Sequence, residues 1–409
     1  MNPDLGKLQP YPFEKLKALL SGVEAGNNAP ISLSVGEPRH SAPDFIQTAL
    51  DTHWRGIEKY PPTRGSDELR EAISQWLLRR FHLNNYPVSP VDQILPVNGT
   101  REALFAIAQC LLDRGSNKQV VLAPNPFYQI YEGAIYLAGL QPTFYNLDAP
   151  RDDTAPAGRP GYWDNDDPRW AQVQLIYICN PGNPTGQVMS KDALIELIEL
   201  AERHDFIIVS DECYSEIYRD ENHPPPGLLE AAANRGQVSD DKTPLDHCLV
   251  FHSLSKRSNL PGLRSGFVAG GQALIEQFLL YRTYHGCSMS PPVQAASTQA
   301  WLDETHVVNN RQRYNEKYEA VLPILAPVLP VEQPAAGFYL WPDLGMDDEQ
   351  FTRDMYNRYN IAVVPGSYLS RTVDGVNPGK NHTRLALVAE LEDCITAATY
   401  IRDYLAEQQ

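Results

Sequence analysis

Long apolar runs are missing from this chain. No stretch approaches the ~18 consecutive apolar residues that a membrane span needs, so no membrane association is expected. Met1 to Leu20 lacks a basic start followed by an apolar core, so no secretory leader is expected there. Cysteine is scarce as well. The six cysteines, at 110, 179, 213, 248, 287 and 394, include no Cys-x-x-Cys pair. That spacing argues against a disulfide framework, and reduced thiols in a cytoplasmic setting are the expectation. None of the ten histidines falls in His-Glu-x-x-His spacing, and no metal is expected. Basic charge is in deficit too, with 34 Lys and Arg against 51 Asp and Glu and a net charge of −17. A nucleic-acid binder needs a basic face, so no nucleic-acid partner is expected.

Among what is present, 43% apolar content over 409 residues is enough for two domains or one large α/β unit. From residue 90 to 290 apolar strand-like runs alternate with helical periodicity. This order predicts a mostly parallel sheet covered on both faces, whose ligand site lies at the strand ends.

The chain is organised around Val250 to Gly266. An apolar run, Leu249 to Phe251, leads into Ser253-Leu-Ser-Lys256, and a Pro-Gly turn carries the chain on to Arg264. A lysine at the mouth of a sheet can form a Schiff base with an aldehyde if burial or nearby cations keep part of it neutral. Ser253, Ser255 and Arg264 would clamp a phosphate beside it. A small molecule carrying both an aldehyde and a phosphate is pyridoxal 5'-phosphate. The plain alternative is a solvated Lys–Arg pair in a polar loop.

Other segments bear on this choice. Ile94 to Val97 reads as a strand, and Leu104, Ile107, Ala108 and Leu111 have helical spacing. Gly99 and Thr100 therefore stand at a helix N-terminus, where free N–H groups suit a phosphate; an ordinary turn is the alternative. Tyr128 follows a strand at Val120 to Ala123 and can stack on a flat ring or simply pack. Gln174 to Cys179 ends in Asn180-Pro-Gly-Asn-Pro-Thr-Gly186, a turn at the sheet edge. Phe206 to Asp211 is an apolar strand ending in a carboxylate. Asp211 would keep a pyridine nitrogen protonated, and a helix cap is its alternative. Ser66 and Ser190 read as N-caps of helices to Phe81 and His204. Asp220 to Asp246 and Ala149 to Trp170 read as Pro- and Asp-rich surface loops. Pro291 to about Tyr318 reads as one long helical pattern. Strands at Gly337 to Trp341, Ile361 to Val364 and Arg384 to Val388, with helices near Asp348 to Tyr359 and Leu391 to Glu407, predict a small α+β unit. Arg384 can clamp a carboxylate through two parallel hydrogen bonds, or it can serve a structural ion pair.

Ser253-Leu-Ser-Lys256 with Pro261-Gly-Leu-Arg-Ser-Gly266, together with Asn-Gly-Thr at 98–100, Asn-Pro-Thr-Gly at 183–186 and Asp-Glu-x-Tyr at 211–214, resembles fold-type I pyridoxal-phosphate aminotransferases. The resemblance runs from about Ser34 to Val388. It implies a large domain with a mostly parallel seven-stranded sheet over residues 46–295, an arm and part of the small domain over 1–45, and a C-terminal α+β domain over 296–409. It implies that Lys256, Asp211 and Tyr214 are catalytic. Gly99, Thr100, Arg101, Tyr128, Asn183, Ser253, Ser255 and Arg264 would join them in holding the cofactor. Tyr60, in Tyr60-Pro-Pro-Thr-Arg-Gly65, would cross the interface of a homodimer to the partner's cofactor phosphate. Gly36, Asn183 and Arg384 would bind a small amino-acid or oxo-acid substrate.

Four runs, Ser34 to His40, Phe127 to Gly133, Lys256 to Arg264 and Tyr281 to Cys287, resemble the bacterial branch that acts on succinylated diaminopimelate. Such a substrate carries further carboxylates. Arg39, Arg101 and Arg282 are the candidate cations for them, and each can equally be a surface or helix-face charge.

Overall fold

The computed structural model describes residues 1–146, 164–235 and 242–408. Its strands, in chain order, are β1 (Ile31–Ser32), β2 (Ile94–Val97), β3 (Val120–Asn125), β4 (Gln141–Asn146), β5 (Val173–Cys179), β6 (Ile207–Asp211), β7 (Cys248–Ser253), β8 (Gly266–Gly270), β9 (Tyr339–Leu340), β10 (Ile361–Ala362), β11 (Val364–Pro365) and β12 (Thr383–Ala386). Seven of them form one sheet in the order β2-β8-β7-β6-β5-β3-β4. The pairs from β4 through β3, β5 and β6 to β7 are parallel, and β8 runs antiparallel between β7 and β2. This is the α/β fold with a mostly parallel seven-stranded sheet that the alternating pattern and the resemblance predict.

The sheet is buried on both faces, which is why its strands read as unbroken apolar runs rather than alternating ones. Val250 points into one core with Ile176, Ile208, Trp76 and Leu197. Its neighbours Leu249 and Phe251 point into the other, with Val209, Tyr177, Ile107 and Phe278. Successive side chains on a strand face opposite ways, so both halves of the run find apolar partners. The helices Asp67–Arg80, Lys191–His204 and Pro291–Leu302 cover the first face; Thr100–Leu111, Ile130–Leu137 and Gln272–His285 cover the second. Ser66 and Ser190 cap their helices as expected, accepting from Leu69 N and Ala193 N at 3.2 Å each.

The C-terminal strands build a three-stranded sheet, β11-β12-β9, and β1 pairs with β10 in parallel. A third core of Leu33, Leu325, Phe351, Leu385 and Ile401 lies among these strands and the helices Thr305–Leu325, Asp348–Tyr359 and Leu391–Gln408.

Several boundaries differ from the sequence reading. The strand expected at Ile361 to Val364 is two short ones with different partners: Ile361 faces Ile31, and Val364 faces Arg384. The helical pattern from Pro291 to Tyr318 is broken at Asp303, whose carboxylate accepts the His306 N–H at 3.0 Å and so starts a second helix. The loop expected from Asp220 to Asp246 holds a buried turn of helix, Leu228–Ala233, because Leu-Leu-Glu-Ala-Ala-Ala carries good helix formers. Residues 236–241 of that loop, and most of the excursion from Ala149 to Trp170, lie outside the described residues.

Among the described residues no helix is long and apolar enough to cross a membrane, and no cluster of His, Cys, Asp and Glu could hold a metal ion. All six cysteines are free.

Candidate active site

Parallel strands deliver their C-terminal ends to one edge of a sheet. Here the ends of β3, β5, β6 and β7 bring the segments after Asn125, Cys179, Asp211 and Ser253 together. β2 runs in the same direction as β7, and Val97 and Ser253 flank Gly266 from opposite sides. Gly99 and Thr100 therefore meet Ser253 and Arg264, although more than 150 residues separate them in the chain. The loop after β1 and Arg384 on β12 close the other side. Between them lies a cavity of about 510 Å³.

Lys256 lines it, on the short helix Leu254–Arg257 that Ser253 caps. Its Nζ donates to the Gly36 carbonyl. The Lys256 pKa falls from 10.5 to about 8: burial is the largest cause, Arg384 and Arg101 act with it, and Cys213 and Glu37 oppose it. At pH 8 about half of such amines are neutral, against about one in 300 for an ordinary lysine. This is the condition a nucleophilic amine requires.

At one end of the cavity Gly99 adopts φ +86° ahead of the helix Thr100–Leu111, and a β-carbon there would lie 2.3 Å from Arg264 Nη2. Only glycine lets the guanidinium come so close to the turn. Thr100, Ser253, Ser255 and Arg264 line this end, offering a helix N-terminus, hydroxyls and a cation that match a phosphate dianion. In the middle, Asp211 is buried, and Tyr131 donates to its Oδ2 at 2.7 Å. Burial pushes its carboxyl up, while hydrogen bonds from Cys213 and Tyr131 pull it back. No cationic side chain forms a salt bridge with it among the described residues, so a protonated ring nitrogen would supply the charge partner it lacks. Tyr214 OH lies 2.8 Å from Tyr339 OH. The donor set thus fits pyridoxal 5'-phosphate from both ends.

On the far side Arg384 donates to Ser34 O at 2.7 Å and to Asn183 Oδ1 at 3.2 Å, and its guanidinium lies 4.7 Å from the Tyr339 ring. Its Nε is buried with no partner. Among the described residues no carboxylate pairs with it, so the structural ion pair left open by the sequence is not made. A β-carbon on Gly36 would strike Tyr339 OH at 1.9 Å, which leaves the Gly36 backbone facing the cavity. At the mouth, Arg101 Nε donates to Tyr128 OH at 2.6 Å and Nη2 to Tyr11 OH at 3.2 Å. Tyr128 and Arg101 both line the cavity.

Three residues from the sequence reading are not brought in. Arg282 is wholly buried and pairs at 2.8 Å with Glu102, which also accepts the Asn98 N–H at 2.9 Å. It braces the turn before Gly99 instead of facing a substrate, because the face of a mixed helix it occupies points inward. Arg39 is exposed and lines no part of the cavity. Tyr60 is fully exposed on the single chain. Conversely, Tyr11, Tyr131, Cys213 and Tyr339 belong to the site and were not singled out. Tyr131 lies inside the run Phe127 to Gly133, Cys213 inside the Asp-Glu-x-Tyr motif and Tyr339 inside a segment read as a strand, but none of these patterns gives the residue a role.

Residues 28–394 match the family described as aminotransferase class I and II. The chain is 30% identical over 96% of its length to a 4-dedimethylamino-4-oxo-anhydrotetracycline transaminase, OxyQ, of Streptomyces rimosus, covering 98% of that protein. It is 26% identical over 98% of its length to an LL-diaminopimelate aminotransferase of Natranaerobius thermophilus, again covering 98% of it. Among solved structures, an aminotransferase from Neisseria meningitidis Z2491 superposes with a TM-score of 0.91 at 44% identity, over 99% of this chain and 100% of that one. The aminotransferase AspB from Helicobacter pylori 26695 gives 0.85 at 33% identity, over 98% and 99%. The chain belongs to the class I and II aminotransferases, a pyridoxal-phosphate-dependent family.

Proposed function

We propose that this class I and II aminotransferase moves an amino group between glutamate and the oxo group of N-succinyl-2-amino-6-oxopimelate, a step toward diaminopimelate and lysine. The observation behind the narrower substrate is the charge of the cavity. The lining cations Arg101, Lys256, Arg264 and Arg384 outnumber the lining acids Glu37 and Asp211. Arg384 and Arg101 stand on different elements, one deep and one at the mouth, and neither has a carboxylate partner among the described residues. A substrate with anionic groups at both ends suits two such anchors. The resemblance of four sequence runs to the succinylated-substrate branch points the same way, as do relatives named for LL-diaminopimelate. Arg39 and Arg282 drop out of the proposal.

Bound pyridoxal 5'-phosphate supplies an aldehyde for the amino group and a ring that draws electrons from the substrate. The residues of the chain do the rest. Gly99, Thr100, Ser253, Ser255 and Arg264 hold the phosphate. Asp211 keeps the ring nitrogen protonated, with Tyr131 holding its carboxylate in place. Asn183 and Tyr214 orient the ring oxygen. Arg384, with the Gly36 N–H, binds the α-carboxylate, and Lys256 Nζ carries the proton to and from the substrate Cα. The same proposal includes a homodimer in which Tyr60 reaches the second site; Trp54, Ile57 and Tyr60 form an exposed apolar run on the single chain.

Purified enzyme should be assayed with N-succinyl-LL-diaminopimelate and 2-oxoglutarate for glutamate formation, beside LL-diaminopimelate, N-acetylornithine and aspartate. A clear preference for the succinylated substrate, weakened about tenfold or more in KM by Arg101→Gln, supports the proposal. Preference for LL-diaminopimelate, N-acetylornithine or aspartate would keep the transaminase and discard the substrate. Release of pyruvate and ammonia from cystathionine would instead make it a carbon–sulfur lyase.

A further inference from the structure

A string of buried polar groups runs from behind the cavity to the backbone of Lys256. Asn310, 4% exposed, lies on the helix Thr305–Leu325. Its Nδ2 donates to the carbonyls of Lys256 at 3.1 Å and Arg257 at 3.4 Å. Carbonyls only accept, so the amide nitrogen must face them, and Oδ1 is left to accept. Asn259 Nδ2 and His40 Nδ1 both approach that oxygen at 2.9 Å, so His40 must carry its proton on Nδ1. The other ring nitrogen, Nε2, lies 2.8 Å from Lys317 Nζ. An ammonium has no lone pair, so Nε2 accepts. Lys317 is 3% exposed and forms no salt bridge among the described residues.

We propose that Lys317 and His40 are positioning residues for the reacting amine: Lys317 selects the Nδ1–H tautomer of His40, which orients Asn310, which holds the backbone of Lys256. The inference rests on the reading of Lys256 as that amine. The same loop reaches Lys256 a second time, because Gly36, four residues before His40, accepts from Lys256 Nζ. Without the ammonium, His40 is free to move its proton to Nε2. Its Nδ1 lone pair then faces the Asn310 oxygen, acceptor against acceptor, and the amide is released from the two carbonyls.

The surroundings keep His40 neutral. Burial lowers its pKa from 6.5, Lys317 and Arg313 lower it further, and Asn310 and Glu390 oppose. Lys317 in turn faces Cys394 and Glu390, which favour its charge, and Arg313 and Arg39, which oppose it; burial is the largest effect and lowers its pKa. The ring of Tyr314, 4.7 Å from His40, closes the remaining side.

The first test is nitrogen NMR of the imidazoles in the full-length, cofactor-free protein, with His40 assigned by His40→Asn. His40 should show the Nδ1–H tautomer and titrate below the ordinary 6.5. An Nε2–H tautomer, or ordinary titration, would overturn the proposal whatever Lys256 does. The second test is kinetic, on the holoenzyme. Lys317→Met should lower kcat about fivefold, the effect of one buried hydrogen bond, with KM little changed. The loss should shrink as the pH falls through the His40 ionisation, because an imidazolium donates from Nδ1 in either variant. His40→Asn places an amide N–H where Nδ1 stood, so adding Lys317→Met to it should cost nothing more. A pH-independent loss, or full additivity of the two substitutions, would mean that Lys317 only packs. If Lys317→Met does not fold, the wild-type NMR result decides alone.

Discussion

Lys256 should make the protein less stable than it need be, and the structure sets the size of the effect. Its folded pKa of about 8 lies below the ordinary 10.5. At ~1.4 kcal/mol per pH unit, this gap amounts to about 3 kcal/mol. The sign follows from proton counts. Between about pH 8 and pH 10.5 the unfolded chain holds a proton on this amine and the folded chain does not. Stability therefore rises with pH across that window, and the full penalty is present below it. Lys256→Met keeps the side-chain length and removes the charge. It also removes the hydrogen bond to Gly36 O, worth ~1 kcal/mol. The cofactor-free variant should then be about 2 kcal/mol more stable than wild type at pH 7, and slightly less stable above pH 10.5. Urea unfolding at fixed protein concentration from pH 6.5 to 10.5 measures this difference, and titrations that are not coupled to Lys256 cancel from it. A difference that is flat with pH, or a variant less stable at pH 7, would show that the amine is not held in a desolvated site. The argument for its nucleophilicity would fall with it.

Other expectations are more direct. Lys256→Ala should fold normally and show no amino-transfer half-reaction with any substrate; substantial turnover would remove the lysine from the mechanism. Gly99→Ala meets both a positive φ and Arg264, so it should weaken pyridoxal 5'-phosphate binding about tenfold or more in an absorbance titration and cost about 1–3 kcal/mol in unfolding. Arg384→Lys replaces a two-pronged clamp with a point charge and should raise KM for amino and oxo acids roughly tenfold, with a smaller effect on kcat. Arg282→Met leaves Glu102 without its cation and should cost about 3 kcal/mol in urea unfolding, with KM for the substrate unchanged; a raised KM would restore Arg282 to the substrate site.

The parts of the site that could be read from sequence share one property: each stands where a periodic element stops. Lys256, Asp211, Gly99 and Asn183 follow apolar runs directly, and a strand that stops at a sheet edge delivers whatever comes next to the ligand. The seven-stranded sheet was legible for the same reason, since burial on both faces leaves uninterrupted apolar segments. Residues whose role depends on a partner in another element left no such trace. Tyr131 serves Asp211 from 80 residues away, and Tyr339 meets Tyr214 from 125 away. Neither distance has a counterpart in local spacing. Arg282 failed in the opposite direction. Its helix mixes polar and apolar residues all round, so nothing in the sequence said that this arginine faces inward to Glu102. The strand expected at 361–364 misled because an apolar run records burial and not partner, and its two halves join different sheets.

The loop after β1 joins the two ends of the proposed chemistry. Ser34 O accepts from Arg384 Nη2 at 2.7 Å, and Gly36 O accepts from Lys256 Nζ. Leu33 is fixed in turn by its own backbone bonds, accepting from Ala386 N at 2.8 Å and donating to Ala362 O at 2.9 Å. The distance between the carboxylate clamp and the amine is therefore set by three residues on one short segment, Ser34 to Gly36, anchored to β12 and β10. The sheet edge supplies the amine, the C-terminal strands supply the guanidinium, and this segment holds the two in register. A displacement of the loop would move the acceptor of each group at once. That makes its backbone, more than any side chain on it, the element that matches the cavity to the length of an amino acid from Cα to carboxylate.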